Sequence, residues 1–170
     1  MLPSGNDAAI ALSEAIGLIH NTKIRNRSTD PEVEGWYEPF LANNNKTYAY
    51  HFINLMNEKC QKMGLLDTHI YNSHGNDAYD QLKNISTCNE VAKISSEYLK
   101  YELLRKIAQT RSFTVDRINR TWDNTNKLLD DGFEGLKTGI TDTAGPCLAA
   151  CYRSLIIVVL SSKSMNERWI

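Results

Sequence analysis

The chain has 170 residues, and its 19 Lys and Arg against 20 Asp and Glu give a formal net charge of −1. Hydrophobic residues fill 42% of the positions, which is typical of one folded domain and excludes a disordered polyelectrolyte. This charge balance provides no basic footprint for a phosphate backbone, so we do not expect nucleic acid as a partner.

The first half of the chain predicts two helices separated by a long loop. Apolar residues recur at helical spacing over residues 6–20, behind a Ser/Asn/Asp cluster that is suited to cap a helix. Residues 21–47 are polar and contain prolines, which predicts a loop pinned by a few aromatic side chains. A second amphipathic helix is predicted over residues 48–63 and ends at Gly64, a residue that readily takes the left-handed conformation.

A third helix is predicted after a turn-rich stretch. Residues 69–71 are β-like, and turn-forming residues follow them. Residues 87–90, Thr-Cys-Asn-Glu, have the form of a capping box, and an apolar face behind them continues to about Gln109. We therefore expect one continuous helix from the capping box to that residue.

After residue 110 the pattern changes from helix to sheet. Residues 113–118 alternate in the manner of a half-buried strand, and residues 134–140, 147–152 and 155–161 predict three further strands. Only Arg153 and Ser154 separate the last two, which predicts a tight hairpin. The aliphatic run at 155–160 lacks polar alternation, so we expect both faces of that strand to be covered.

The sequence indicates neither a membrane span nor a metal site. The longest aliphatic run is about a third of the length that a transmembrane helix needs. The start of the chain lacks the basic residues of a signal peptide, so we expect no export of the chain as written and assign no compartment. No Cys-x-x-Cys pair or zinc-ligand spacing occurs, so we predict thiols and no cofactor. The cysteines are Cys60, Cys88, Cys147 and Cys151.

Two tripeptides are candidates for chemistry: Ser4-Gly5-Asn6, before the first helix, and Lys137-Thr138-Gly139, on a predicted strand. Each also has a purely structural interpretation. Ser4 and Asn6 are suited to cap a helix. Lys137 is also compatible with a solvated strand end, the commoner fate of a lysine, and Gly139 with a β-bulge. The tripeptides alone therefore favour the structural interpretation.

Ser-x-Asn and Lys-Thr-Gly are variants of two of the three motifs of β-lactamases and penicillin-binding proteins. With its flanking segments, the sequence resembles the low-molecular-mass penicillin-binding proteins, the D-alanyl-D-alanine carboxypeptidases of serine peptidase family S11. By eye the likeness covers roughly 90% of the chain. It is carried by residues 4–9, 52–57, 63–65, 67–69, 72–75, 86–87, 124–129, 135–139 and 144–148.

The resemblance implies an α+β fold of the β-lactamase/transpeptidase-like type, with a helical lobe packed on an antiparallel sheet. Residues 1–170 would form a partial catalytic domain that is incomplete at both ends. The helical lobe would cover about residues 1–109 and the sheet portion about residues 110–170. The implied chemistry is acyl transfer, in which a serine attacks the penultimate D-alanine carbonyl of a peptide and the terminal D-alanine leaves.

The catalytic residues carried over by the resemblance are Ser4, Asn6 and Lys137. The Ser4 hydroxyl can relay a proton toward the leaving amine, and the Asn6 amide can bind the substrate peptide bond or the nucleophile's lysine. Lys137 supplies a positive charge for the oxyanion and for the terminal carboxylate. His74 lies in a turn, and we expect it to be a scaffold residue.

The implied substrate-binding residues follow directly on the strand, and the implied partner is a D-Ala-D-Ala-terminated peptide or a β-lactam. Thr138 can hydrogen-bond the substrate carboxylate, and Gly139 lets the backbone approach the substrate as an edge partner. The N–H of Ile140 would contribute to the oxyanion hole. The oligomeric state stays unassigned.

No serine in the chain is followed three positions later by lysine, so the nucleophile motif Ser-x-x-Lys is absent from these residues. We therefore expect a fragment of a carboxypeptidase-like domain that neither hydrolyses D-Ala-D-Ala nor acylates with penicillin by itself. One alternative is a peptide-binding or scaffold module that keeps the cleft. Another is a β-lactamase relative, although spacing singles out no carboxylate for deacylation.

Overall fold

The computed structural model describes residues 2–25, 46–77 and 83–169. The chain divides into two compact units, one of residues 6–85 and one that joins residues 1–5 to residues 86–170. The first unit contains helices α1 (Asn6–Arg25) and α2 (Lys46–Lys62). The second contains helices α3 (Cys88–Leu99) and α4 (Glu102–Gln109) and the strands β1 (Ser112–Val115), β2 (Arg120–Asp123), β3 (Leu136–Thr141), β4 (Gly145–Tyr152) and β5 (Leu155–Val159).

Helices α1 and α2 pack closely through small residues of α1. A Cβ atom on Gly17 would overlap the backbone carbonyl of Tyr48, so no larger residue fits without displacing the α2 backbone. One turn earlier, Ser13 is fully buried, and its hydroxyl donates to Ile10 O at 2.7 Å and accepts from Ser73 Oγ at 3.1 Å. The small side chains of Ser13 and Gly17 therefore allow the backbones of α1 and α2 to lie close together.

Helix α1 is longer than the apolar pattern predicted. It continues past His20 to Arg25, and Thr22 Oγ1 donates to Leu18 O at 2.9 Å within this extra turn. Residues 21–25 are mostly polar but include neither glycine nor proline, so nothing there ends the helix. The central part of the predicted aromatic loop, residues 26–45, lies outside the described residues.

The segment after α2 is a turn network held by side-chain amides. Asn57 of α2 donates to Ile70 O at 2.8 Å and accepts from Ile70 N at 2.9 Å. The predicted β-like stretch is reduced to a single antiparallel bridge between His69 and Ile85. His74 Nδ1 accepts the N–H of Asn76 at 3.0 Å, as expected of a scaffold residue.

Strands β3, β4 and β5 form an antiparallel sheet in that order, which confirms the three predicted strands. Arg153 and Ser154 both have left-handed backbones, with φ of 45° and 70°, so the β4–β5 connection is the predicted two-residue hairpin. The β3–β4 register is continuous from Leu136 opposite Ala150 to Thr141 opposite Gly145. Gly139 therefore forms no β-bulge.

Both faces of this sheet are covered. On one face Leu136, Ala149 and Cys151 form a buried cluster against α3 side chains. On the other, Leu148 and Ala150 pack on Leu128 of the 3-10 helix Lys127–Asp131. Strand β5 contributes to both clusters, as predicted from its aliphatic run. Its contributing residues are Ile156 and Val158 on the α3 side and Val159 on the other.

The expectation of one helix from the capping box to Gln109 is wrong, because the helix is interrupted between Leu99, the end of α3, and Glu102, the start of α4. The capping bond is present, since Thr87 Oγ1 accepts from Glu90 N at 3.3 Å. However, Tyr101 is extended, with φ of −98° and ψ of 106°, and starts a new helix. The Tyr98 hydroxyl donates to Leu104 O at 2.7 Å and ties the two helices together. The apolar spacing continues across the break, which is why periodicity does not reveal it.

The predicted strand over residues 113–118 is only partly correct. It ends at Val115 and turns through the 3-10 helix Asp116–Ile118. Asn119, with φ of 46°, reverses the chain, and β2 returns antiparallel to β1. The sequence analysis missed β2 because its four residues are mostly exposed and carry no apolar alternation.

Candidate functional site

Residues 2–5, here called the strap, belong to the second unit and position Ser4 there. Leu2 is buried, and its carbonyl accepts the N–H of Thr125 at 3.2 Å. Two residues later Ser4 adopts a left-handed backbone, with φ of 56°, which is uncommon for a residue other than glycine. Such strain is retained where the surrounding contacts fix a side chain in place.

The two candidate motifs meet at a direct hydrogen bond. Lys137 Nζ donates to Ser4 Oγ at 2.6 Å, across 133 positions of sequence, and to Thr138 O at 2.5 Å. The strap and the start of β3 therefore converge on one ammonium group. The interpretation of Lys137 as a merely solvated strand end does not account for this contact.

The backbone before Lys137 is also unusual. Gly135 and Leu136 both have positive φ, of 84° and 120°. A Cβ atom on Gly135 would overlap the carbonyl of Ala108, so glycine is required there. The resulting distortion lies immediately before the lysine.

Thr138 points into the unit and forms a pair with Thr125. It is 6% exposed, and its Oγ1 lies 2.6 Å from Thr125 Oγ1. The loop that carries Thr125 is anchored by hydrogen bonds, because the Asn124 amide donates to the carbonyls of Ala108 and Thr110 at 3.1 and 2.9 Å. A hydroxyl both donates and accepts, so Thr138 keeps hydrogen-bonding capacity beside its partner.

Strand β3 lies at an edge of the described sheet. A Cβ atom on Gly139 would lie 3.9 Å from Cys147 Cβ, an ordinary contact, so packing does not require glycine there. Ile140, next along the strand, is 58% exposed. An edge strand with a small residue and an accessible neighbour is suited to pair with an extended peptide.

Arg168 is a site residue that the sequence analysis missed. It is 6% exposed, and its Nη1 donates to Gly139 O at 3.2 Å. Its guanidinium stacks on Trp169, with 4.5 Å between Cζ and the ring centroid. Its Nε is buried without a hydrogen-bond partner among the described residues. The residue belongs to no motif and follows a polar stretch, so no sequence signal separates it from a surface arginine.

The electrostatics of this cluster favour an anion. Desolvation of the Lys137 ammonium lowers the pKa of Lys137, and the positive charge of Arg168 lowers it further. Neither cation forms an ion pair with a carboxylate within the described ranges. Two neighbouring positive charges without a counter-charge are stabilised when a negative group binds between them.

The remaining predicted site residue, Asn6, is the first residue of α1 and is exposed. It belongs to the first unit and follows Ser4 by two positions in the chain.

All four cysteines are free thiols, as predicted. In the described part of the chain, no group of His, Cys, Asp and Glu side chains is arranged to hold a metal ion, and no helix is long and apolar enough to cross a membrane.

Helices packed on an antiparallel sheet, with a Ser-x-Asn and a Lys-Thr-Gly motif, define the β-lactamase/transpeptidase-like class of proteins. The family model described as D-alanyl-D-alanine carboxypeptidase, peptidase S11, matches residues 41–164. The chain belongs to this family of serine peptidases.

Individual relatives agree with the family model. The D-alanyl-D-alanine carboxypeptidase of Streptomyces sp. strain K15 is 30% identical over 184 residues, which cover 99% of this chain and 54% of that protein. The carboxypeptidase DacF of Bacillus subtilis is 26% identical and matches 98% of this chain and 37% of that protein. The chain therefore spans about half the length, or less, of these curated relatives.

Solved structures similar to this chain are penicillin-binding proteins, in agreement with the family match. The R248L mutant of Streptomyces K15 DD-transpeptidase superimposes with a TM-score of 0.71 at 29% identity, over 98% of this chain and 59% of that chain. Penicillin-binding protein D2 of Listeria monocytogenes, solved in its cefotaxime-bound form, gives a TM-score of 0.65 at 26% identity, over 74% of this chain and 53% of that chain. The α+β, transpeptidase-like fold expected from the sequence is confirmed.

Proposed function

We propose that this chain provides the substrate-binding half of a serine-type D-Ala-D-Ala carboxypeptidase site and forms part of one catalytic domain. In this domain, about residues 1–109 correspond to the helical lobe and about residues 110–170 to the sheet portion. The observation that carries the proposal is the 2.6 Å hydrogen bond between Lys137 and Ser4, which joins the two family motifs. The chain alone is expected to bind substrate without cleaving it.

The anionic end of the substrate would be held by the two cations. The terminal carboxylate of a D-Ala-D-Ala peptide would accept hydrogen bonds from Lys137 and Arg168, and the Thr138 hydroxyl would add a third. The unpaired Nε of Arg168 supports this arrangement, because a buried donor without a partner gains a hydrogen bond when the anion arrives. Charge-assisted bonds of this kind are the strong ones.

The rest of the peptide would lie along β3. Gly139 leaves room for a second backbone at the strand edge, and the N–H of Ile140 would point at the carbonyl that is attacked. Ser4 would pass a proton to the leaving amine, and Asn6 would bind the peptide bond or the nucleophile's lysine. Cefotaxime is bound in the similar Listeria protein, which supports a β-lactam as an alternative ligand of the same site.

These 170 residues contain no Ser-x-x-Lys, so the chain by itself lacks the activated serine that forms the acyl-enzyme. We expect no covalent label after incubation with a fluorescent penicillin and denaturation. A stable label on the isolated chain would contradict this expectation and would restore the enzyme or β-lactamase interpretation of the isolated chain.

Binding is tested by isothermal titration with a D-Ala-D-Ala-terminated peptide and with the same peptide amidated at its C-terminus. We expect saturable binding of the free acid, and Lys137→Ala should weaken it at least about tenfold, since a charge-assisted bond contributes about 1.4 kcal/mol or more. Lys106→Ala is the matched control, because Lys106 is exposed in the same unit and pairs with Glu102. Equal binding of the amidated peptide, or none of either, would refute the proposal.

A further inference from the structure

A groove, here called the α2 groove, lies between α2 and residues 69–71. Its volume is about 680 Å³, within the range of about 300–1,000 Å³ that is typical of small-molecule sites. Its lining residues all lie within the first unit, whereas Ser4 and Lys137 belong to the second. The groove therefore has no part in the proposed function.

One wall of the α2 groove is a single face of α2. Its members recur at intervals of three or four residues, so at 100° per residue they fall within about 80° of the helix circumference. At 1.5 Å per residue the row is about 16 Å long. It begins with a tyrosine ring that is 44% exposed and continues with two amides and a carboxylate. The row consists of Tyr50, Asn54, Glu58 and Gln61.

The opposite wall has two further rings, which are held in place by backbone hydrogen bonds. His69 and Tyr71 lie with 4.4 Å between their ring centroids. Between them, Ile70 donates its N–H to Asn57 Oδ1 at 2.9 Å and accepts from Asn57 Nδ2 at 2.8 Å. The Tyr71 N–H donates to Asn84 Oδ1 at 2.7 Å. Because this wall is already ordered, a ligand would bind there at a smaller entropic cost.

The same backbone bonds argue against an extended peptide as the ligand. A peptide that adds to a strand edge pairs with backbone N–H and C=O groups that have no other partner. Here His69 exchanges both backbone bonds with Ile85, at 3.0 Å each, and Ile70 exchanges both with the Asn57 side chain. Side chains must therefore provide the recognition in this groove.

The charge of the lining favours a neutral ligand. Among the described residues that line the α2 groove, none is Lys or Arg, and Glu58 is the one carboxylate. Glu58 Oε2 lies 3.7 Å from Lys62 Nζ, one turn further along α2. An anionic ligand would thus meet a carboxylate and no lining cation, and a cationic ligand would meet a carboxylate that already has a partner.

Aromatic rings combined with amides are suited to recognise a sugar. The C–H faces of a pyranose ring are apolar and pack on an aromatic ring, while its hydroxyl groups remain at the edge. Amide and carboxylate oxygens accept hydrogen bonds from hydroxyl groups, and amide N–H groups donate to them. Rings on both walls and polar groups along about 16 Å suit a chain of sugar units better than a single one.

We propose that the α2 groove binds a neutral oligosaccharide. Its ring faces stack on Tyr50 and Tyr71, and its hydroxyl groups bond to the amides and the carboxylate of the α2 row. This binding site belongs to the first unit and is independent of the peptide site proposed for the second.

The test is calorimetric titration of the full 170-residue chain with three neutral trisaccharides, chitotriose, cellotriose and maltotriose. We expect saturable one-to-one binding of at least one of them, with a Kd of about 1 mM or tighter. Trilysine is the cationic comparison, and it should bind at least about tenfold more weakly.

Substitutions examine the two kinds of contact. Tyr71→Ala should weaken trisaccharide binding at least about tenfold, whereas Tyr71→Phe keeps the ring and should stay within about threefold of wild type. Gln61→Ala, at an exposed position of α2, should weaken binding at least about threefold, and it tests the groove without altering the turn network. Tyr101→Ala is the matched control, because Tyr101 is 52% exposed and belongs to the second unit.

Three results would each overturn the inference. They are no saturation by any trisaccharide at about 10 mM, binding that both Tyr71→Ala and Gln61→Ala leave unchanged, and tighter binding of trilysine than of every sugar. A cross-test separates this site from the proposed function. Lys137→Ala should keep wild-type trisaccharide affinity, and Gln61→Ala should keep wild-type affinity for the D-Ala-D-Ala peptide.

Discussion

The sheet of β3, β4 and β5 and the helix α1 differ in how completely their apolar residues are covered. In the second unit the sheet is flanked on both faces, and Leu148 at its centre is 1% exposed. Helix α1 lies against α2 at Gly17, whereas Leu12 of the same helix is 62% exposed. The hydrophobic contribution of a leucine to stability therefore depends on how far its side chain is buried.

The largest expected effect contrasts these two leucines. Leu148→Ala should lower the free energy of unfolding by about 2–5 kcal/mol, because it leaves a cavity between strands and the 3-10 helix. Leu12→Ala should change it by less than about 0.5 kcal/mol, since most of that side chain is already in water. Urea denaturation of both variants provides the measurement. A similar loss of stability for the two variants would show that the Leu12 side chain is buried in solution.

Gly17 and Gly139 test the same difference, between a closely packed and an open position, at the level of the backbone. Gly17→Ala should cost about 1–3 kcal/mol, because its methyl group overlaps the Tyr48 carbonyl. Gly139→Ala has room against Cys147 and should change stability by less than about 0.5 kcal/mol, while it obstructs the peptide along β3. Thermal unfolding and peptide titration separate the two effects. Wild-type peptide affinity in Gly139→Ala would argue against pairing at this edge.

The smallest effect is the pH dependence of Lys137. Its folded pKa lies below the usual 10.5, so between these two values the unfolded state binds more protons and stability rises with pH. The free energy of unfolding of the native chain, minus that of Lys137→Met, should therefore increase through this window and level off above it. Taking the difference removes the groups that titrate in both proteins. Urea denaturation across alkaline pH measures it, and a flat or falling difference would contradict the assignment.

The sequence revealed those parts of the fold that local chemistry determines. The two-residue spacing at Arg153-Ser154 predicted the hairpin, the aliphatic run predicted a strand covered on both faces, and two tripeptides marked the residues that meet at Ser4 and Lys137. These signals are local in the chain, and the structure adds the long-range contacts between them. That Ser4 and Lys137 belong to one site was expected only through the family resemblance, and the hydrogen bond between them appears in the structure alone.

Other features could not be read from the sequence because tertiary contacts decide them. The break at Tyr101 interrupts a pattern that remains helical in period, and it is held by the Tyr98 hydroxyl rather than by a glycine or proline. Arg168 becomes part of the site only through its tertiary hydrogen bond to the Gly139 carbonyl, which is 29 positions away in the sequence. Strand β2 has no apolar pattern, and it takes its extended conformation by pairing with β1.

The strap that carries Ser4 also bears on the order of folding. Residues 1–5 belong to the second unit, while residues 6–85 of the first are inserted between them and Ser86. The bonds of Leu2 to Thr125 and of Ser4 to Lys137 therefore close loops that span most of the chain. Loops of this length form late, because their closure entropy must be offset by contacts that already exist. We expect the helices and the hairpin to form first and the site to assemble last.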